Sequence, residues 1–192
     1  MHIIAGLYRN RKLITPIRTK TRPTASHLRE ALFNICQTDI EGARFLDICA
    51  GSGGIGLEAL SRGASFSTFI EHHRDAVNCI RQNIQSLNVQ DHTQIFHGDI
   101  FKMLDFLKRK GETFDIIYAD PPYHTKELAA TNSESITEKL IKCIDESTLL
   151  GENGILFIEE SFAYSPSIMD LTTLSLKKSR RIGAAVLQQY GR

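Results

Sequence analysis

Short apolar runs alternate with amphipathic segments between residues 45 and 159, and this alternation constrains the fold more than any other feature of the chain. Runs typical of buried strands occupy residues 45–49, 67–71, 93–97, 114–119 and 155–159. Segments with helical spacing of apolar residues occupy residues 55–61, 74–87, 100–110 and 133–147. Strands and helices in this order form βαβ units. We therefore predict an α/β domain with a mostly parallel sheet and helices on both faces.

The two ends of the chain depart from this alternation. Residues 171–176 and 184–189, joined through the basic stretch 177–181, predict a closing pair of antiparallel strands, which brings the sheet to seven strands. Residues 1–22 predict a short β-hairpin or an extended arm, and the apolar spacing after Pro23 predicts a helix. We divide the chain into a basic N-terminal extension, residues 1–22, and one larger domain, residues 23–192.

Positive charge is concentrated at the beginning of the chain. Residues 1–29 contain seven Lys or Arg and no Asp or Glu, although the whole chain has a net charge of only +1. A basic arm on an acidic body suits a protein that contacts phosphates with one surface. A solvated terminus without a partner is the alternative interpretation. The predicted nucleic-acid contacts of the arm are Arg9, Arg11, Lys12 and Arg22.

Cysteine spacing and hydropathy exclude several classes of protein. The four cysteines are widely spaced, without a Cys-x-x-Cys pair or a zinc-type cluster, and indicate free thiols in a reducing compartment. The N-terminal apolar patch precedes its basic residues, the reverse of a secretory signal, and no stretch reaches the ~20 apolar residues of a membrane span. Adjacent His72 and His73 point in different directions and have no third ligand at suitable spacing. We expect a cytoplasmic monomer that binds neither membrane nor metal.

A glycine-rich turn follows the first predicted parallel strand. In the stretch DICAGSGGIG, from Asp47 to Gly56, glycines let the backbone turn sharply and approach a ligand closely. This position is the carboxyl edge of an open α/β sheet, where such folds bind ligands. The spacing of Gly51, Gly53 and Gly56 also satisfies the dinucleotide fingerprint, so the glycines alone leave a nicotinamide-dependent oxidoreductase open.

Three acidic residues at successive strand ends narrow the choice of ligand. Asp47 would repel a pyrophosphate but can receive the ammonium end of an aminoacyl group. Glu71 suits a ribose diol, and Asp99 suits an adenine amine, although a helix N-cap is the alternative for Asp99 taken alone. S-adenosylmethionine carries all three groups, and we predict it as the cofactor. Its predicted contacts are Asp47, Ala50, Gly51, Ser52, Gly53, Glu71, His72, Asp99 and Ile100.

The stretch Asp120-Pro-Pro-Tyr123 directly follows the apolar run 114–119. Prolines fix φ and lack an N–H, so the carbonyl groups of Asp120 and Pro121 are held in a rigid turn as acceptors. Acceptors aimed at an exocyclic base amine favour its attack on a methyl group and take its proton, while Tyr123 can stack on the base. We predict Asp120, Pro121 and Tyr123 as catalytic residues. A stiff loop with a buried tyrosine is the alternative.

These two motifs resemble those of class I methyltransferases that act on base amino groups. The stretches IIAGLYRNRKL (3–13), TRPT (21–24), REALFN (29–34) and GLEALSRGA (56–64) resemble the bacterial small-subunit (16S) rRNA guanine-N2 methyltransferase family of the RsmD type. The similarity covers essentially the whole chain. It implies a Rossmann-like methyltransferase domain over residues 23–192, the cofactor contacts given above, and methyl-transfer roles for Asp120 and Tyr123. The sequence departs from the family pattern at Cys49, where an aromatic residue is expected, and at His72 and His73.

The predicted function is transfer of a methyl group from S-adenosylmethionine to the N2 amine of a guanine in 16S rRNA, with ribosomal RNA or the small ribosomal subunit as partner. Transfer is expected to be direct, because no cysteine lies in a nucleophile motif. Two alternatives stay open. One is an adenine-N6 methyltransferase acting on DNA or RNA, and the other is a non-catalytic RNA-binding factor in ribosome assembly.

Overall fold

The computed structural model describes residues 1–16, 26–122, 135–163 and 170–192. Seven strands of this part of the chain form one sheet. They are β1 (Arg44–Ile48), β2 (Phe66–Glu71), β3 (Thr93–His97), β4 (Phe114–Ala119), β5 (Leu150–Ser161), β6 (Ser175–Ile182) and β7 (Ala185–Gly191). Their order across the sheet is β3-β2-β1-β4-β5-β7-β6. The strands β1 to β5 pair in parallel, whereas β7 pairs antiparallel with both β5 and β6. The predicted mostly parallel sheet with an antiparallel C-terminal pair is confirmed.

Helices cover both faces of the sheet, as predicted. They are α1 (Ser26–Ile35), α2 (Gly54–Ser61), α3 (Arg74–Leu87), α4 (Ile100–Arg109) and α5 (Ile136–Asp145). Apolar side chains of α1, α2 and α3 form one hydrophobic core with Phe45, Tyr118 and Phe157 of the sheet. Those of α4 and α5 form a second core against the opposite face, with Ile48 and Ile158. No helix within the described ranges has the length and hydropathy needed to span a membrane.

Helix α5 begins later than the sequence predicted. Ser135 is its N-cap, and the Ser135 hydroxyl accepts the backbone N–H of Glu138 at 3.0 Å while the Glu138 carboxylate accepts the N–H of Ser135 at 2.8 Å. This reciprocal capping box satisfies two N–H groups that the first turn leaves free, so it fixes the start of the helix at Ile136. The predicted residues 133 and 134 lie outside the described part of the chain.

Only residues 175 and 176 of the predicted strand 171–176 lie in β6, and the placing of basic residues 177–181 in a connecting loop is wrong. The carboxylate of Asp145 accepts the backbone N–H groups of Thr172, Thr173 and Leu174 at 2.6–2.8 Å, and these bonds hold residues 172–174 out of the ladder. Strand β6 therefore begins at Ser175 and contains the basic stretch. The hairpin turns instead at residues 183–184, where Gly183 has φ 64°, the left-handed conformation that short hairpins favour.

The N-terminal residues 1–16 pack on the domain through α2. The pairing is short and antiparallel, as in the hairpin that the sequence offered beside an extended arm: a bridge joins His2 to Lys12, and the N–H groups of Ile3 and Leu13 donate to the carbonyl oxygens of Arg11 and Met1. Ile3 and Leu13 are fully buried in the core beneath α1, α2 and α3. The Glu58 carboxylate accepts the N–H groups of Ile4 and Ala5 at 2.7 and 3.0 Å. This segment is consequently fixed to the domain on its inner side.

Candidate active site

The turn between β1 and α2 has an unusual backbone. The φ angles of Cys49, Gly51 and Gly53 are 61°, 56° and 78°. All three lie in the left-handed region, which residues other than glycine seldom adopt. A methyl group added at Gly51 would meet nothing within 4 Å, so this turn borders open space at the carboxyl edge of the sheet. The same addition at Gly53 would lie 3.3 Å from the side chains of Ile80 and Phe69. Gly51 therefore leaves room for a ligand, whereas Gly53 permits close packing.

Asp47 lies beneath this turn and is 1% exposed. Its Oδ2 accepts the N–H of Gly56 in the first turn of α2 at 2.9 Å, and its buried Oδ1 has no hydrogen-bond partner among the described residues. Burial, with a further contribution from the charge of Glu71, raises the pKa of Asp47 to about 7. An unpartnered buried carboxylate oxygen beside a turn that borders open space fits the ammonium group of a bound ligand.

Glu71, at the end of β2, connects the glycine turn to the start of α3. Its Oε2 accepts the N–H of Gly51 at 2.7 Å, and its Oε1 accepts the N–H of His73 at 2.7 Å. A carboxylate oxygen has capacity for a second donor, so these bonds leave room for a ribose hydroxyl. His72 is exposed, and its carbonyl oxygen lies 3.0 Å from the ring of His97. The cofactor roles of Glu71 and His72 stay predictions.

Asp99 occupies the end of β3 as the N-cap of α4. Its Oδ1 accepts the N–H of Lys102 at 3.1 Å, and Ile100 is the first helical residue. Asp99 thus has the helix-capping role that was the alternative interpretation. A contact between its exposed carboxylate and the adenine amine stays a prediction. Within the described ranges, no three His, Cys, Asp or Glu side chains are grouped as a metal site requires.

The end of β4 brings Asp120 beside the glycine turn. The Asp120 N–H donates to the carbonyl oxygen of Ile48 at 3.3 Å, and Ile48 pairs in register with Ala119. Burial raises the pKa of Asp120 to about 8, and the negative charges of Glu159, Asp47 and Glu160 act in the same direction. Asp47 and Asp120 therefore end adjacent strands at one edge. Pro121 is buried after Asp120, and Tyr123 lies outside the described residues.

Three buried side chains of this edge were not predicted from the sequence. The Tyr118 hydroxyl donates to Oε2 of Glu159, and both side chains are almost fully buried. Glu160, also buried, accepts the hydroxyl hydrogen of Thr137 at 2.6 Å. The sequence contained a signal for the two acids, because Glu159 and Glu160 end an apolar run just as Glu71 does. The Glu159 carboxylate orients Tyr118 below Asp120 and adds negative charge there.

The predicted RNA-contacting arm lies on the α2 and α3 side of the sheet. Arg9 and Lys12 are exposed, whereas Arg11 donates from Nη2 to the carbonyl oxygen of Ser86 at 2.7 Å. The buried Asn83 side chain of α3 hydrogen-bonds both backbone groups of Ile14 and, from Nδ2, the carbonyl oxygen of Ser52. Asn83 thus joins the arm to the glycine turn. Arg22 lies outside the described residues.

Sequence comparison assigns the chain to a family. The family model described as Conserved hypothetical protein 95 matches residues 1–191. Ribosomal RNA small subunit methyltransferase D of Buchnera aphidicola subsp. Acyrthosiphon pisum is 31% identical over 178 residues, which cover 93% of this chain and 87% of the relative. The chain belongs to this methyltransferase family. The protein of the same name in Escherichia coli K12 is 31% identical over 83% of this chain and 74% of its own length.

Solved structures agree with this family assignment. The Escherichia coli protein yhhF superposes with a TM-score of 0.82 at 29% identity, covering all of this chain and 97% of that chain. Ribosomal protein L11 methylase from Lactobacillus delbrueckii subsp. bulgaricus has the same fold, with a TM-score of 0.70 at 14% identity over 97% of this chain and 88% of that chain. The predicted Rossmann-like methyltransferase fold, the RsmD-type resemblance and S-adenosylmethionine as cofactor of the family are confirmed.

Proposed function

We propose that this methyltransferase transfers a methyl group from S-adenosylmethionine to the exocyclic N2 amine of a guanine in small-subunit (16S) rRNA. The observation that carries the proposal is the junction of β1 and β4, where the Asp120 N–H donates to the carbonyl oxygen of Ile48. This bond brings the rigid Asp120-Pro-Pro turn next to the glycine turn. The names of the relatives support rRNA as the substrate.

The chain offers a set of groups that match the cofactor. When bound, S-adenosylmethionine supplies a methyl group made electrophilic by the adjoining sulfonium. The unpartnered Oδ1 of Asp47 receives the ammonium end, and the open side of Gly51 lets the backbone approach. Glu71 fixes the turn through the Gly51 N–H and accepts a ribose hydroxyl with its spare lone pairs. Asp99 accepts the adenine amine from the end of β3.

Asp120 and Pro121 orient the amine of the base. Their carbonyl groups accept its two hydrogens, which holds the nitrogen lone pair towards the methyl carbon. The bound cofactor would supply the methyl carbon to this lone pair, and the electron pair of the broken C–S bond would stay with its sulfur. The methylated amine is acidic, and it passes one proton to the Asp120 carboxylate, which burial makes a stronger proton acceptor by raising its pKa to about 8. Tyr123 stacks on the face of the base. To reach this position, the base must leave its stack in a duplex or come from a single-stranded loop.

Identification of the modified nucleoside tests the proposal directly. Small ribosomal subunits from cells that lack the enzyme are incubated with the protein and labelled cofactor, and their nucleosides are separated by mass spectrometry. We expect label in N2-methylguanosine. Label in N6-methyladenosine would support the adenine alternative, and RNA binding without incorporation would support an assembly factor. A monomeric state, a cytoplasmic location and the absence of a bound metal stay predictions that this experiment does not address.

Replacement of Asp120 tests the assigned chemistry. Asp120→Ala removes the proton acceptor but none of the predicted cofactor contacts, so turnover should fall by about 10² or more while cofactor affinity stays nearly unchanged. Methyl incorporation and isothermal titration with the cofactor measure the two effects. Asp105→Ala, which removes an exposed carboxylate of α4, is the control. Near-normal turnover in Asp120→Ala would remove the residue from its assigned role.

A further inference from the structure

The edge strand β6 carries a dense positive charge that the proposed function does not yet use. Its sequence, SLKKSRRI, has four cations and no acidic residue. Lys177, Lys178 and Arg181 are exposed and Arg180 is half-buried. None of the four forms an ion pair with a described residue. Because β6 is the last strand of the sheet, no further strand lies beyond it, and its exposed cations can contact a polyanion.

Strand direction places one end of this cationic strand at the active-site edge. Strand β6 is antiparallel to β7, which is antiparallel to β5, so β6 and β5 end at the same edge. Arg180 and Glu159 both pair with Leu187, and Arg181 and Glu160 both pair with Val186. Neighbouring strands are about 4.8 Å apart, so the backbone of Arg181 lies roughly 10 Å from that of Glu160.

An aromatic side chain accompanies the cations at this edge. Phe162 follows β5 directly, and its ring remains 51% exposed. The Arg181 guanidinium lies 3.6 Å from the centre of the Phe162 ring, and its Nε donates to the carbonyl oxygen of Gly183 at 3.1 Å. The hydrogen bond and the ring hold the guanidinium in place. An exposed ring beside a fixed guanidinium is a surface on which unpaired bases stack.

We propose that β6 and Phe162 form a second RNA-binding surface, which holds single-stranded nucleotides that flank the target base. The proposal rests on the proposed function, because the target base is placed at Asp120. From Asp120 the cationic strand is three strand spacings away, about 15 Å, which a few nucleotides span. The N-terminal arm packs against α2 and α3, and β6 is at the far end of the strand order, beyond β4, β5 and β7. The flanking RNA would thus be held on both sides of the reacting base.

Protection of the sheet edge is the competing explanation. Lysines on an edge strand discourage pairing with the edge of another molecule, without any ligand. That explanation predicts self-association when the charges are removed and no change in RNA affinity. If β6 binds RNA, removing the charges should instead lower RNA affinity without causing self-association. One set of variants therefore decides between the two explanations.

The test measures binding of a fluorescein-labelled single-stranded oligouridylate of about twelve nucleotides, a length within the range of known single-strand sites. In Lys178→Gln/Arg181→Gln, the slope of log affinity against log salt should become shallower by about 1.4, since each lost phosphate contact on a single strand contributes about 0.7. Lys108→Gln/Lys110→Gln removes two exposed charges at the end of α4 and should leave the slope unchanged. Equal slopes for both pairs would overturn the proposal, as would self-association with unchanged RNA affinity.

Stacking is tested separately with Phe162→Ala. Its affinity for the oligouridylate should fall about tenfold, and its affinity for a duplex of similar length should not change, because paired bases are not free to stack on the ring. An equal loss for both probes, or no loss, would contradict the stacking role. Cofactor titration confirms that each variant is folded. Methyl incorporation by the wild-type protein is measured in parallel. If the wild-type protein methylates RNA but the β6 variants bind RNA normally, only the proposal of the second RNA-binding surface is rejected. If the β6 variants lose RNA affinity but the wild-type protein incorporates no methyl group, only the proposed activity is rejected.

Discussion

At the scale of single residues, Asp47 shows how one buried carboxylate can support a binding site at a cost in stability. The side chain is fully buried, only one of its oxygens has a partner, and its pKa is raised to about 7. In an unfolded chain the pKa returns to about 3.8. Between these values the folded protein binds more protons than the unfolded chain. The Asp47 contribution to the free energy of unfolding is therefore largest in acid and declines as the pH rises towards 7.

This sign leads to a prediction for Asp47→Asn. The amide keeps an acceptor for the Gly56 N–H but carries no charge. The free energy of unfolding of the variant should therefore fall less than that of wild type between pH 5 and pH 7.5. At pH 7.5 the variant should be the more stable protein. Urea unfolding at several pH values measures this. Asp120, with a pKa raised to about 8, keeps part of the pH dependence in both proteins. Asp105→Asn is the control, and identical pH profiles for Asp47→Asn and wild type would contradict the prediction.

The sequence also predicted that certain single residues lie together at one edge of the sheet, and the structure places Asp47 and Asp120 at that edge. Asp47, Gly51 and Asp120 could be selected because strand-end acids and glycines at one sheet edge have few structural explanations. It could not show that Asp47 already accepts the Gly56 N–H, or that both oxygens of Glu71 already hold backbone groups. The glycine motif in the sequence also led us to include Gly56 in the ligand-binding turn. A methyl group there would lie 2.4 Å from Phe69 and Ser67, so this glycine serves the packing of α2 against β2.

At the scale of elements, helix α2 fixes the N-terminal segment through Glu58. This side chain is fully buried, yet it accepts hydrogen bonds from the Ile4 and Ala5 N–H groups and from Nε of Arg62. The guanidinium of Arg29, 3% exposed, lies 3.8 Å from the same carboxylate. One acidic residue in α2 therefore neutralises a buried cation from α1 and anchors the segment that carries the basic arm.

We expect Glu58→Ala to be strongly destabilising. The substitution leaves a buried guanidinium without its counter-charge and two backbone N–H groups without acceptors, which together should lower the free energy of unfolding by about 3–5 kcal/mol. Urea denaturation measures the change, and hydrogen exchange should show loss of protection at residues 4 and 5. Glu30→Ala, which removes an exposed carboxylate of α1, should cost less than about 0.5 kcal/mol. Similar losses in both variants would show that Glu58 is not an anchor.

At the scale of the whole molecule, the charge distribution follows the fold. The arm at residues 1–16 packs against α2 and α3 at one side, and β6 ends the sheet at the other. The buried acids Asp47 and Glu159 lie on strands between them, and the half-buried Asp120 directly follows β4. Positive charge at the flanks attracts a polyanion, while the acidic centre prefers a positively charged or hydrogen-donating group.

The arm gives a prediction at this scale. Arg9→Gln/Lys12→Gln removes two exposed cations and keeps Arg11, whose bond to Ser86 has a structural role. Affinity for the rRNA substrate should fall, and its salt dependence should become shallower by about 0.7–0.9 per lost phosphate contact. Fluorescence anisotropy across a salt series measures both, with Lys108→Gln/Lys110→Gln as the control. An unchanged slope would assign the arm a structural role only.

The sequence by itself determined the alternation of strands and helices, the parallel sheet and the edge at which the acids meet, because these follow from local periodicity and from the chirality of βαβ units. Only the tertiary structure decided which distant groups meet. Glu159 lies beside Asp120 because β4 and β5 are neighbours in the sheet, and residues 172–174 leave the ladder because Asp145 takes their N–H groups. Hydrogen bonds between residues far apart in the chain have no periodicity, so no local pattern could have revealed them.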